Sequence, residues 1–218
     1  MNGRISDKKI IDLHAHTYPA SRCSMIDPYE YVIAIYKEGA GVATITNHGT
    51  TLANHMLRVL FKQKNILFIP GIEVSTQYGD FLFYSSNEEF LNELSARMDF
   101  PFSLLPRPDI AVVWAHPLMG GGMSGAIYSD SYTEVLKGYI DGVEIYNSHY
   151  SMSVQSIEKT RSIAEFLGAA RTGGSDCHDI DSIFACATRF DYEVTSALNF
   201  IEQIKNRNTT PIKNHFEI

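Results

Sequence analysis

Short apolar, β-branched runs alternate with helix-forming stretches along most of this chain, and a histidine or a carboxylate closes one run after another. Ile10-Ile11, Val42-Ala43-Thr44-Ile45-Thr46, Ile66 to Val74, Ile110 to Ala115 and Gly142 to Tyr146 read as strands. Helices are expected from Pro28 to about Glu38, with Asp27 as N-cap, and over 51–63, 87–97, 131–138, 153–167 and about 194–207. The helix over 51–63 carries apolar Leu52, Met56, Leu57 and Leu60 at helical spacing. The turn Tyr78-Gly79-Asp80 is expected to lead into an antiparallel strand, Phe81 to Tyr84, and Pro211-Ile212 into a terminal one. Such alternation predicts an α/β fold with a largely parallel sheet, closed or nearly closed into a barrel. Ligand sites in these folds gather at the carboxyl ends of the strands, so the polar residues there carry the functional argument.

The first of them lie in Asp12-Leu13-His14-Ala15-His16-Thr17, directly after the first run. Side chains two apart on an extended chain share a face, so His14 and His16 offer two imidazoles to one centre. Alone this pattern is weak, but it recurs. Asn47-His48-Gly49, Gly71-Ile72-Glu73, Ala115-His116-Pro117 and Ser175-Asp176-Cys177-His178 occupy matching places. Glu73 sits inside an apolar run, where an unpaired charge is costly, so it needs a cationic partner. Five of the eight histidines share strand-end positions with two carboxylates, a cluster that without a metal carries several unsatisfied polar groups in one pocket.

Composition narrows the field. A chain of 218 residues is long enough for one domain with a substantial core, and no linker, repeat or low-complexity segment marks a boundary. A net charge of −7 without a basic patch argues against nucleic-acid or membrane-surface binding. No apolar run reaches the ~18 residues of a membrane span. The stretch MNGRISDKK lacks the apolar core of a signal peptide, and Cys23, Cys177 and Cys186 show no disulfide or Cys-x-x-Cys spacing. The expectation is a soluble, cytoplasmic, single-domain protein.

The ordered set DLHAHT, TNH, GIE, AHP and GSDCH, running from about residue 10 to 190, resembles the PHP family, named for polymerase and histidinol phosphatase domains. That resemblance implies a distorted (β/α)7, TIM-like barrel that holds two or three divalent metal ions and hydrolyses phosphoesters. By motif, it assigns His14, His16, Glu73 and Asp176 to one part of the metal cluster, with Glu73 as bridge, and His48, His116 and His178 to the rest. Glu73, Asp176, His178 and His149 are the candidates for the chemistry. Two cations bridged by a carboxylate lower the pKa of a shared water toward ~7 and clamp the attacking and leaving oxygens of an in-line displacement. Imidazole mixed with carboxylate favours Zn, Mn or Fe over Mg or Ca.

Several residues depart from the family pattern or extend it. Asn47 stands where relatives often carry Asp. Cys23, in Ser21-Arg22-Cys23-Ser24, stands roughly where relatives carry one more ligand; it is either a thiolate ligand or a loop cysteine without a role. Asn147 matches a substrate-contacting asparagine, and His149 is either a ligand or proton donor or an exposed loop histidine. Arg22 is a candidate for binding the substrate phosphate, Arg171 a weaker one. Asp12 either orients a ligand histidine or makes a structural hydrogen bond. His55 and His215 are expected in solvent, and Gly120 to Gly125 form either a lid or a plain connection.

Three functions follow. The first is metal-dependent hydrolysis of a small phosphorylated metabolite or nucleotide. The second is a non-catalytic PHP-like module that binds metal or a partner. The third is an amidohydrolase-type C–N hydrolase; no lysine stands at a strand end here to serve as the carboxylated lysine such enzymes often use.

Overall fold

The computed structural model describes residues 7–119 and 127–213. Along the chain lie β1 (Ile10–Ile11), α1 (Pro28–Lys37), β2 (Val42–Ile45), α2 (Asn54–Gln63), β3 (Leu67–Thr76), β4 (Gly79–Ser85), α3 (Glu88–Leu94), β5 (Ile110–Trp114), α4 (Asp130–Leu136), β6 (Gly142–Asn147), α5 (Val154–Leu167), β7 (Ala170–Gly174), β8 (Cys186–Phe190), α6 (Ala197–Lys205) and β9 (Thr209–Lys213). The mixed α/β expectation holds. Local signals explain most boundaries. Asp27 accepts from Tyr29 N at the start of α1, Ser153 caps α5, and Gly168, at φ 64°, ends α5 in the left-handed region that glycine tolerates.

A six-stranded sheet runs β2-β3-β4-β5-β6-β7, and a separate three-stranded sheet runs β1-β8-β9. The larger sheet is parallel except at β4, which pairs antiparallel with both neighbours; the smaller is antiparallel throughout. The expected closed seven-stranded ring is therefore not what the pairing shows. Instead the sheet curls, and the segment just after β1 lies between its two edges. Thr46 N donates to Ala15 O on the β2 side, while Asp176 N donates to His14 O and His16 N to Cys177 O on the β7 side. This segment places both histidines of the first motif where β2 and β7 end.

Period-2 alternation sorts the strand residues onto two faces. Ile72, Val74, Phe81, Phe83, Val112, Trp114, Val143 and Ile145 pack outward with Phe90 and Leu91 of α3 and Ile163 of α5. Leu82, Tyr84, Ala111 and Val113 point into the curl and meet Phe200, Ile201 and Ile204 of α6. Glu73 and Glu144 lie between outward residues on β3 and β6, and Glu73 pairs with the inward Leu82, so both carboxylates face the interior.

Three local expectations are corrected. α2 begins at Asn54 rather than 51, and Leu52 is 84% exposed, because residues 51–53 form a turn that leaves it outside the helix. Asp80 lies inside β4, opposite Ser75, and the turn is the two residues Gln77-Tyr78 between the paired Thr76 and Gly79. β8 was not expected at all; its short CATRF run is covered by partners on both sides. No described helix is long and apolar enough to cross a membrane.

Candidate metal centre

The seven motif residues converge at the carboxyl ends of the strands. His14 and His16 come from the segment after β1, His48 follows β2, Glu73 lies on β3, His116 follows β5, and Asp176 and His178 follow β7. His14, His16, Glu73, His116 and Asp176 are buried; His48 and His178 are 17% and 16% exposed at the mouth. Two of these positions have strained backbone: His116 at φ 30° and Asp176 at φ 55°, values that non-glycine residues rarely adopt. Strain of this sort persists where the surroundings fix it, commonly at functional sites.

Nε2 of His14 lies 3.4 Å from Glu73 Oε2 and 3.4 Å from Asp176 Oδ1; Nε2 of His16 lies 3.3 and 3.1 Å from the same two oxygens. Four ligands 2.0–2.1 Å from a common centre stand roughly 3.3 Å apart when tetrahedral. The His14 Nε2, His16 Nε2 and Glu73 Oε2 atoms are buried without a hydrogen-bond partner, which native interiors rarely tolerate. His48 Nδ1 is 2.6 Å from Glu73 Oε2 but is not aligned as a hydrogen bond. A divalent cation fits this donor set and would satisfy the orphaned atoms. Three further groupings adjoin it among the described residues, His16-His48-His178, His14-His116-Asp176 and Glu73-Asp80-His116, each with ligand atoms within 4.8 Å of one another.

An outer layer of hydrogen bonds aims the imidazoles. His14 Nδ1 donates to Glu144 Oε1 at 3.1 Å, leaving Nε2 toward the cluster. His16 Nδ1 lies 3.1 Å from Ser21 Oγ. Ser21 gives its own proton to Asn47 Oδ1, so its oxygen accepts from His16 and also from His48 N. The Asn47 side chain in turn accepts from Thr17 N and donates to Thr17 Oγ1. Asparagine at this place thus fixes the loop that fixes His16. His178 Nδ1 donates to the Asp176 carbonyl, which can only accept, and its Nε2 is left with the lone pair.

Charge balance follows from the same contacts. Burial alone would depress His14, yet Asp176, Glu144 and Glu73 outweigh it and hold the imidazole well above its ordinary value. Burial dominates at His16, whose pKa falls to about 3, so it is neutral. Glu73 and Asp176 would be raised by burial, but His14 first among their neighbours brings both below the usual carboxylate range. Excess buried negative charge is thus met by a proton on His14, a position that a metal ion competes for.

The remaining candidates distribute as follows. Asn147 is buried, donating to Glu144 Oε2 and Asp176 Oδ2 and accepting from His149 N and Tyr150 N, so its amide is engaged within the site wall. His149 is exposed, its ring centroid 4.7 Å from that of His178. Arg22 is exposed on the loop beside Ser21, and Cys23, also exposed, joins none of the ligand groupings among the described residues. Asp12 accepts from His14 N, Ser175 N and Phe184 N and from the Ser175 hydroxyl; it fixes backbone, and Glu144 is the residue that orients the His14 ring. Arg171 is exposed in a groove with Tyr146, Arg161 and Thr209 that contains no candidate ligand. His55 is exposed on α2. His215 and Gly120 to Gly125 lie outside the described residues.

Glu144 and Asp80 were missed. Glu144 has the same signal as Glu73, a lone carboxylate in an apolar strand, here GVEIY. Asp80 was hidden by its assignment to a turn.

Residues 156–209 match the family model described as PHP-associated. No curated protein shows significant sequence similarity. The fold is similar to that of a two-domain protein from Bacteroides vulgatus containing a domain assigned as a PHP-like metal-dependent phosphoesterase, with a TM-score of 0.74 and 16% identity over 94% of this chain. The chain spans 65% of that protein, less than two thirds. A protein from Bifidobacterium adolescentis assigned as a metal-dependent phosphoesterase gives 0.57 at 15% identity, covering 77% of this chain and 87% of its own. An amidohydrolase from Chromobacterium violaceum, with bound sulfate and no metal, gives 0.55 at 16% identity, covering 78% and 87%.

Proposed function

We propose that this chain belongs to the PHP domain family and is a metal-dependent hydrolase acting on a small phosphorylated molecule. The observation that carries this reading is the set of unpartnered, buried nitrogen and oxygen atoms of His14, His16 and Glu73, spaced with Asp176 as metal ligands are. His14, His16, Glu73 and Asp176 would hold one divalent ion, and His48, His116 and His178 belong to the adjoining positions. Such ions, whether Zn, Mn or Fe, supply Lewis-acid activation of water and neutralise charge developing on a phosphoryl group.

The chain's own residues do the rest. Glu144 and Ser21 hold the ligand rings in one tautomer and orientation, so little reorganisation accompanies reaction. His178, kept neutral chiefly by burial, presents a free Nε2 at the mouth. His149, its ring beside that of His178 and open to solvent, would carry a proton to the leaving group. Arg22, exposed on the loop that carries Ser21, would supply a guanidinium that suits a phosphate.

The experiment is a hydrolysis screen of the metal-loaded chain on phosphomonoesters, phosphodiesters and amides. Turnover of a phosphoester, abolished by Asp176→Asn, supports the proposal. The similarity to the Chromobacterium violaceum amidohydrolase favours a second reading; turnover of amides alone would establish that one instead. Metal binding without any turnover favours a binding module.

A further inference from the structure

Glu73 turns its two carboxylate oxygens in different directions. Oε2 belongs with His14 and His16, while Oε1 faces His116 Nε2 at 3.5 Å. His116 also groups with His14 and Asp176, whose Oδ2 is 3.9 Å from the imidazole, but around Glu73 Oε1 the motifs supply only Glu73 and His116. Two ligands make a poor metal site.

Asp80 completes it. On β4 it pairs with Ser75 and shares the inward face with Leu82, the partner of Glu73 one ladder step away on that face. Asp80 is buried, with 3% relative exposure, and its Oδ1 has no hydrogen-bond partner. Its backbone carbonyl accepts from Ala115 N just before His116, and its carboxylate also meets the Ser75 side chain beside it on the ladder, which leaves Oδ1 as the unpartnered atom. The ligand atoms of Glu73, Asp80 and His116 lie within 4.8 Å of one another. A buried, unpartnered carboxylate oxygen aimed beside a second carboxylate is costly unless a cation joins them.

We infer that Asp80 is a ligand of a second divalent cation, held with Glu73 Oε1 and His116 Nε2. The inference rests on the proposed metal-dependent reading and extends it. Two carboxylates to one imidazole make this position harder than the His14-His16 position, so it takes Mn(II) in preference to a softer ion.

The test compares wild type, Asp80→Asn and Asp80→Glu, each full length, loaded with Mn(II), desalted and assayed for bound metal, with thermal unfolding followed in metal-free and loaded forms. Asp80→Asn should carry one Mn equivalent fewer than wild type, with the affinity of that equivalent down by at least the ~10-fold that loss of even an outer partner costs. Its metal-free Tm should be equal or higher, and its metal-induced rise in Tm smaller; Asp80→Glu should keep the wild-type count. Should Asp80→Asn fail to fold, Asp80→Ala is scored by the same criteria. An unchanged count and affinity, or a lower metal-free Tm with the metal-induced rise intact, overturns Asp80 as a ligand and leaves the metal centre standing. Wild type that binds no Mn(II) or Zn(II) overturns both.

Discussion

Glu144 Oε1 lies 3.1 Å from Nδ1 of His14, and its Oε2 accepts from the backbone N of His116 and from Asn147 Nδ2. One buried carboxylate thus sets the orientation of one candidate ligand and the backbone of another. Replacing it as Glu144→Gln keeps the shape but removes the charge. Metal affinity should fall about 10–100-fold, measured by competition with a chelator. The His14 imidazole of the metal-free chain should also titrate lower, as followed by NMR, because one of the three carboxylates that raise it is gone.

Gly174 fits where no Cβ can. A methyl there would meet His14 Cβ at 2.5 Å, Glu144 Oε1 at 2.7 Å and His14 N at 2.8 Å. Two of these atoms belong to the backbone or its first carbon and cannot swing aside. Gly174→Ala should therefore destabilise the fold by about 1–3 kcal/mol and weaken metal binding together, read by denaturant unfolding and chelator competition. Full stability would show that the close packing under His14 is not required.

Protonation gives the metal-free chain a stability optimum. His14, His48 and His116 are raised in the folded state, so their contribution is full below the unfolded value of about 6.5 and is lost as pH rises through the folded values. Glu73 and Asp176 are lowered from 4.5 and 3.8, so theirs is present above those values and lost as pH falls through the folded ones. The metal-free Tm should peak between the two ranges. Metal requires deprotonated ligands, so the rise in Tm on loading should be larger at about pH 8 than at about pH 6. An equal rise at both would contradict the ligand role of His14.

Much of this site was legible in the sequence because strand parity is a strict rule. Glu73 between outward Ile72 and Val74 must face inward, and the same parity applies to Glu144 between Val143 and Ile145. The second carboxylate carried the same signal, since Gly142-Val143-Glu144 repeats the pattern of Gly71-Ile72-Glu73. Asp80 was lost to hairpin register: a shift in the turn by two residues converts a solvated turn residue into a buried ladder position. The antiparallel β4 was expected from its turn, whereas the split into a six-stranded and a three-stranded sheet was not, because the pairing of β1 with β8 joins segments nearly 180 residues apart. The burial of Asp12 followed no local signal, as its partners Ser175 and Phe184 are more than 160 residues away.

The central claim is that the buried cluster around Glu73 is a metal centre. Elemental analysis of the chain, loaded with Zn(II) or Mn(II) and then desalted, tests it most directly. The account predicts about two equivalents or more per chain, and loss of most of that metal in Glu73→Gln, because both Glu73 oxygens face ligand sets. Less than one equivalent on the wild-type chain, or an unchanged content in Glu73→Gln, would contradict it.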